Sequence, residues 1–203
     1  AVILSHSDAD HIGGIIDLLD TDVHIKNLFI SKSDYTPLLE QLIKRCRKKH
    51  IRVFRAGYND NLMIDNIKIN CLAPLSSVKA EDNNNNSLGC VIQYQGFSAL
   101  FMGDMDKTRE LQTCESLRKV TVLKVSHHGS KTGTSDEVLL KIRPYYAIIS
   151  CGIQNRYNHP HQETLDTLKQ YPIDVWRTDT NGAVMLKTDG QKVFVSAQLK
   201  GDK

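Results

Sequence analysis

The chain has 203 residues, 40% of them apolar and 24% charged, with a formal net charge of +3. That is enough for one domain with a substantial core, its composition is that of a soluble globular protein, and +3 is too small to argue by itself for a polyanionic partner. No run approaches the ~20 apolar residues needed to cross a bilayer, no signal peptide stands at the start, and five scattered cysteines without a Cys-x-x-Cys pair suggest neither a disulfide framework nor a zinc knuckle and read as small core hydrophobes.

Ala1 to Leu4 read as a buried strand and Ile15 to Leu19 as a helix. Between them, Ser5-His6-Ser7-Asp8-Ala9-Asp10-His11-Ile12-Gly13-Gly14 crowds two imidazoles and two carboxylates together, which a folded protein rarely does without a cation. The segment sits at the carboxyl end of a strand, where α/β proteins keep their sites. In an extended chain His6, Asp8 and Asp10 point to one side, and Asp10 and His11 diverge. One segment can thus serve two metals, His6 and Asp8 on the first, Asp10 and His11 on the second. Gly13 and Gly14 would let the helix start pass close beside the site. The alternative is a solvated acidic loop with incidental histidines.

Leu28 to Ile30 follow as a short buried strand, and residues 35–49 as a helix with Leu38, Leu39, Leu42, Ile43 and Cys46 on one face and Pro37 in its first turn. Strands are expected at 51–54, 62–65 and 67–72, with Asp65-Asn66 as a hairpin turn. Residues 73–87 form a polar loop with four consecutive asparagines, Asn83 to Asn86, either simple disorder or a site loop offering Asn84 and Ser87. A hairpin pairs 90–94 with 99–102 around Gln95-Gly96. Helices at 106–118, 135–142 and 162–171 alternate with strands at 120–125, 145–150 and 174–177. A closing hairpin joins 183–187 to 192–196. Helix and strand in this order suit two sheets flanked by helices. The basic residues Lys44, Arg45, Arg47, Lys48, Lys49, Arg52 and Arg55 read first as a solvated face.

Asp104 ends an apolar strand. It is either a carboxylate bridging two cations or, with Asp106, a helix cap. His127 and His128 end another buried strand, and beside a metal site they favour ligation. Ser130, Lys131, Thr132 and the helix start beyond form a phosphate pocket or a cap at Thr134 or Ser135. Asn155, Arg156 and Tyr157 offer a nucleotide grip, and His159 or His161 a proton for a leaving oxygen; the alternative is a polar loop before a helix.

His-x-Asp-x-Asp-His-x-Gly-Gly resembles the signature of the metallo-β-lactamase superfamily. With Asp8 in the third place it is similar to the version in the carboxy-terminal nuclease-like domain of the ComEC family of DNA-uptake competence proteins. Ser87-Leu88, Met102-Gly103-Asp104, the stretch from Leu123 to Lys131 and the stretch from Asn155 to His161 match the same family in order. The resemblance implies an αββα sandwich as a single domain over residues 1–203, lacking about two strands and an Asp-Gly-rich turn before residue 1. It implies metal ligands His6, Asp8, Asp10, His11, Asp104 and His127. His128, facing the other way in an extended chain, would support them. The first site is one ligand short and more oxygen-rich, which favours Mn²⁺ over Zn²⁺ for the two divalent ions. Asp10, Asp104, His159 and His161 would be catalytic, and no small organic cofactor is implied. The substrate implied is DNA, a single strand, with the membrane-channel portion of a bacterial plasma-membrane parent as partner and this domain soluble on the extracytoplasmic side. A small phosphoester such as a phosphocholine ester, or a non-catalytic module, are the alternatives.

Overall fold

A computed structural model describes residues 1–75 and 80–199. Three parallel strands, β1 (Val2–Ile3), β2 (Asn27–Ser31) and β3 (Arg52–Ala56), form one sheet in that order. The second sheet has seven strands. In chain order they are β4 (Asn61–Ile64), β5 (Ile67–Cys71), β6 (Cys90–Tyr94), β7 (Phe97–Phe101), β8 (Val122–Lys124), β9 (Tyr146–Ile149) and β10 (Asp174–Arg177), and they lie side by side in reverse chain order. Strands β4 to β7 meander antiparallel, and β7 to β10 run parallel. A third, two-stranded sheet pairs β11 (Val184–Thr188) with β12 (Val193–Ala197).

Helices α1 (Ala9–Leu18) and α2 (Pro37–Lys48) cover the small sheet. Their apolar faces, Ile12 and Ile15, Leu39, Leu42 and Cys46, pack on Leu4, Leu28 and Ile30. Alternation along β2 turns Phe29 the opposite way, toward Ile3, Ala56, Cys71 and Leu88 between the sheets. Helix α2 is started by Thr36, whose hydroxyl accepts from Leu39 N–H at 3.1 Å, and by Pro37 at its first position. The larger core joins Val91, Leu100, Leu123 and Ala147 of the seven-stranded sheet to Cys114, just past α3 (Lys107–Thr113), to Val138, Leu139 and Ile142 of α4 (Asp136–Ile142) and to Leu168 of α5 (Gln162–Lys169). The layer order is therefore helices, sheet, sheet, helices, the expected sandwich. Fully buried Leu100 and Leu123 each contribute roughly 1.5–3 kcal/mol of apolar burial.

Three local expectations differ. Helix α1 begins at Ala9 rather than Ile15, so Asp10 and His11 sit in its first turn, not on an extended chain. Gly13 and Gly14 are inside that helix, with nothing within 4 Å of a Cβ added at either, so neither serves a close approach. The helix expected over 106–118 spans only Lys107–Thr113, and a short helix α6 (Thr178–Asn181) follows β10. In the asparagine-rich loop, Asn83–Asn86 form a 3-10 turn capped by Asp82; residues 76–79 of the same loop lie outside the described residues.

Candidate metal centre

The carboxyl ends of β1, β7, β8 and β9 bring the centre together. From β1 the chain stays extended to Asp8, so His6 turns inward while Ser7 turns away to Asp34 and Thr36, at 2.8 and 2.6 Å. The helix then carries Asp10 and His11 back over the same point. From β7, Gly103 at φ +62 makes the turn that aims Asp104 inward. A Cβ there would lie 2.5 Å from Ser87 Oγ, so only glycine fits. Asp106, not Asp104, caps α3, accepting from Arg109 N–H at 2.8 Å, which leaves Asp104 free for the centre.

After β8, His127, His128 and Gly129 all have positive φ, 50°, 54° and 83°. Two consecutive non-glycine residues in this region mark strain held by the surroundings. The left-handed turn reverses the expectation for His128. It does not face away; its Nε2 lies 3.1 Å from His11 Nε2, 3.3 Å from Asp104 Oδ2 and 3.5 Å from Asp10 Oδ2. His127 Nε2 is farther from Asp104 Oδ2, at 3.9 Å. His128 Nδ1–H donates to Ser150 O at 2.7 Å, so in the neutral ring the Nε2 lone pair points into the cluster.

Asp104 Oδ2 is also 3.3 Å from His11 Nε2. Its Oδ1 is buried without a partner, and so is His6 Nε2, 3.7 Å from Asp8 Oδ2. Buried orphan acceptors of this kind are costly unless something absent from the protein chain satisfies them. With His6, His11 and Asp104 forming one group of converging ligand atoms and Asp10, His11 and His128 another, the donor set fits divalent cations. Burial alone would raise the Asp104 pKa, but hydrogen bonds from His11 and His128 and their charge outweigh it and hold the carboxyl well below its usual range. Burial, then His11, lowers His6 to about 4, against the pull of Asp104. A hydrogen bond to Asp104 raises His128 despite burial.

The asparagine-rich loop reaches the centre through a neighbour of the expected residue. Asn83 Nδ2–H donates to Asp8 Oδ1 at 2.6 Å, and Asn83 Oδ1 is buried without a partner. Asn84 lines the mouth of a cavity of about 230 Å³ together with Asp8, Asp10, Asp104, His127 and His159. Ser87 is fully buried behind the centre, 3.3 Å from His6 Nδ1, and accepts from Asp104 N–H at 3.3 Å.

The second cavity, about 440 Å³, is bounded by Asp10, His128, Ser150, Arg156, Tyr157 and His159. Tyr157 stacks on His159, ring centres 5.6 Å apart, and the Arg156 guanidinium lies 4.6 Å over the Tyr157 ring. Asn155 is different. It lines the same cavity, but its amide is engaged by its own loop, donating to Gly152 O and His159 O and accepting from Tyr157 and His159 N–H, so it also shapes the grip. Ser130 is nearly buried and bonded to Thr132, whose hydroxyl lies 3.4 Å from His127 Nδ1; Lys131 is exposed. Ser135 caps α4. His161 Nδ1 accepts Lys131 N–H at 3.2 Å, which places the neutral ring's proton on Nε2. Burial, then His127 and His161, lowers His159 to about 4.

Two supporting residues escape sequence reasoning. Buried Glu110 accepts from Ser126 and Thr134 hydroxyls at 3.0 and 3.2 Å, clamping the turn that carries both histidines. Lys124 Nζ is buried without a partner behind Asp104. A charged residue in an apolar stretch is the signal for Lys124; a glutamate within an amphipathic helix gives none.

A family model described as a β-lactamase superfamily domain matches residues 1–130. The chain is 35% identical over 190 residues to ComE operon protein 3 of Bacillus subtilis, covering 92% of this chain and 24% of that protein. It is 31% identical over 185 residues to Recombination protein 2 of Haemophilus influenzae, covering 90% and 21%, and 28% identical over 192 residues to Competence protein ComA of Neisseria gonorrhoeae, covering 90% and 24%. The chain thus spans about a quarter of the length of the curated relatives it matches. Among solved structures it resembles the diiron β-hydroxylase CmlA of Streptomyces venezuelae, with a TM-score of 0.60, 11% identity and coverage of 87% and 43%. It also resembles the metallo-β-lactamase fold protein YhfI of Bacillus subtilis, with a TM-score of 0.58, 15% identity and coverage of 87% and 73%. These last two likenesses are of fold alone.

Proposed function

The chain belongs to the β-lactamase superfamily, and from that premise we propose that it is a metal-dependent phosphodiester hydrolase that degrades one DNA strand during DNA uptake. The observation that carries the reading is the convergence of three imidazole nitrogens on Asp104 Oδ2, with Asp104 Oδ1 and His6 Nε2 left buried and unpartnered. The word competence in a relative's name supports the physiological setting. The parent is a bacterial plasma-membrane protein with this domain on the extracytoplasmic side, next to its channel portion; among the described residues no helix is long and apolar enough to cross a membrane.

His6, Asp8 and Asp104 would hold one divalent cation, and Asp10, His11, Asp104, His127 and His128 would surround a second, Mn²⁺ favoured by the carboxylate share. Such a pair supplies a water of lowered pKa and positive charge for the phosphoryl oxygens. Asn83 keeps Asp8 turned to the centre by holding its other oxygen. Ser150 O fixes the His128 tautomer, and Glu110 holds the turn beneath it. Arg156 and Tyr157 hold the nucleotide beside the centre, and Lys131 and Thr132 add contacts to its phosphate. His161 presents Nε2–H as the proton donor for the leaving oxygen. His159, kept neutral by its surroundings, lines the path.

The test is cleavage of labelled single- and double-stranded DNA by metal-stripped protein resupplied with Mn²⁺ or Zn²⁺, beside Asp10→Ala. Manganese-dependent cutting of the single strand, absent in the variant, is expected. Hydrolysis of a small phosphocholine ester but not of DNA would replace the nuclease by a small-ester hydrolase.

A further inference from the structure

We propose that Cys71 and Cys90 are a disulfide site, an oxidative staple across the base of the asparagine-rich site loop. Cys71 is the last residue of β5 and Cys90 the first of β6, and the two are directly opposed in the antiparallel register. Opposed residues project from the same face of a sheet. The Cys71 N–H points the other way, donating to Asp60 O at 2.8 Å, while Leu72 N–H donates to Gly89 O at 2.8 Å. Cys71 and Cys90 are therefore a non-hydrogen-bonded pair, the class in which Cα atoms come closest, about 4.5 Å. That separation lies inside the range a disulfide spans.

Both side chains are buried, and Cys90 borders a cavity of about 320 Å³ between the sheets, lined also by Ile3, Leu88, Ile92 and Phe101. Burial raises both thiols, Cys71 to about 11 and Cys90 to about 12, the latter also through Cys71 itself. Little thiolate exists at neutral pH, so closure in the folded protein is slow there and faster in alkali. Cys46, Cys114 and Cys151 lie on α2, at the end of α3 and after β9, and none opposes another cysteine in a strand register.

The reaction needs a low-molecular-weight disulfide as oxidant. One cysteine thiolate attacks it, the oxidant's S–S bond breaks, and one thiol leaves. The second cysteine then attacks the mixed disulfide and releases the other thiol. The two cysteines lose two protons and two electrons, and the oxidant becomes two thiols. The segment closed by the new bond carries Asn83, against Asp8, and Ser87, against His6 and Asp104. The staple would tie that loop to the sheet without touching the centre.

The experiment is incubation of the intact protein with oxidised glutathione at pH 8.5, then unfolding, thiol titration and mass mapping of peptides. The expected result is a fall from five titratable thiols to three, a Cys71–Cys90 linked peptide, and a higher midpoint of thermal unfolding that dithiothreitol reverses. Five remaining thiols, glutathione held on one cysteine without closure, or a bond between any other pair would each overturn the proposal.

Discussion

Asn83 Nδ2–H donates to Asp8 Oδ1 across 2.6 Å, joining the asparagine-rich loop to the first motif over 75 positions of sequence. The bond occupies one carboxylate oxygen and leaves the other facing His6. Asn83→Ala removes this support without touching the remaining donors. Affinity for Mn²⁺ at the weaker site should fall about 10- to 100-fold, as for other residues that orient a ligand. Titration calorimetry of metal-stripped protein checks this; unchanged affinity would show that Asp8 needs no help.

Divalent metal should stabilise the fold and Asp104→Asn should abolish that effect. A ligand at 100 times its dissociation constant adds about 2.7 kcal/mol. Thermal or urea unfolding with and without Mn²⁺ measures it. Asp104 also sets an acid limit for metal-free protein. Its folded pKa is depressed, so its contribution is complete above the unfolded value of 3.8 and is lost as pH falls below it.

Glu110 gives the opposite slope. Burial raises it from 4.5 to about 7, against the hydrogen bonds from Ser126 and Thr134. Its folded form binds the proton more tightly, so stability falls as pH rises from 4.5 to 7. At roughly 1.4 kcal/mol per unit, the penalty is on the order of 3 kcal/mol and is complete above pH 7. Glu110→Gln should flatten that part of the stability–pH curve, measured by urea unfolding between pH 4.5 and 8.

Gly129→Ala and Gly14→Ala should act in opposite directions. At Gly129, φ is +83 and a Cβ would lie 2.6 Å from Pro160 Cβ, so alanine should cost at least ~1–3 kcal/mol and disturb His127 and His128. At Gly14 the site is helical and open, and alanine should stabilise by about 0.5–1 kcal/mol. Denaturant midpoints of the two variants decide.

His161→Ala should slow DNA cleavage by about 10²- to 10⁴-fold. A substrate with a p-nitrophenolate leaving group, which departs without a proton, should be spared. Equal losses on both substrates would remove His161 from the donor role.

Much of the layered fold was legible because periodicity and turn residues are local. Hairpins at Asp65-Asn66 and Gln95-Gly96, the closing hairpin and the α2 stripe fell where patterning put them. Asp104 Oδ2 lies 3.3 Å from His11 Nε2 of the first motif. The handedness of the turn at His127 and His128 was not legible. Alternation assumes an extended chain, and the left-handed turn at the two histidines is braced by Glu110, which holds Ser126 and Thr134 from another helix, a contact no local pattern announces. Nor could the sequence show that the Asn155 amide, while lining the cavity, also closes its own loop.

Between the two sheets the apolar cluster is thin, built on Ala56, Cys71 and Leu88 with Ile3 and Phe29 at its margin. The early motif hangs from one sheet, while Asp104 and the paired histidines hang from the other. Cations lodged among them would rivet the halves of the sandwich at their weakest seam. Starving the protein of metal should therefore open it to proteases along that seam.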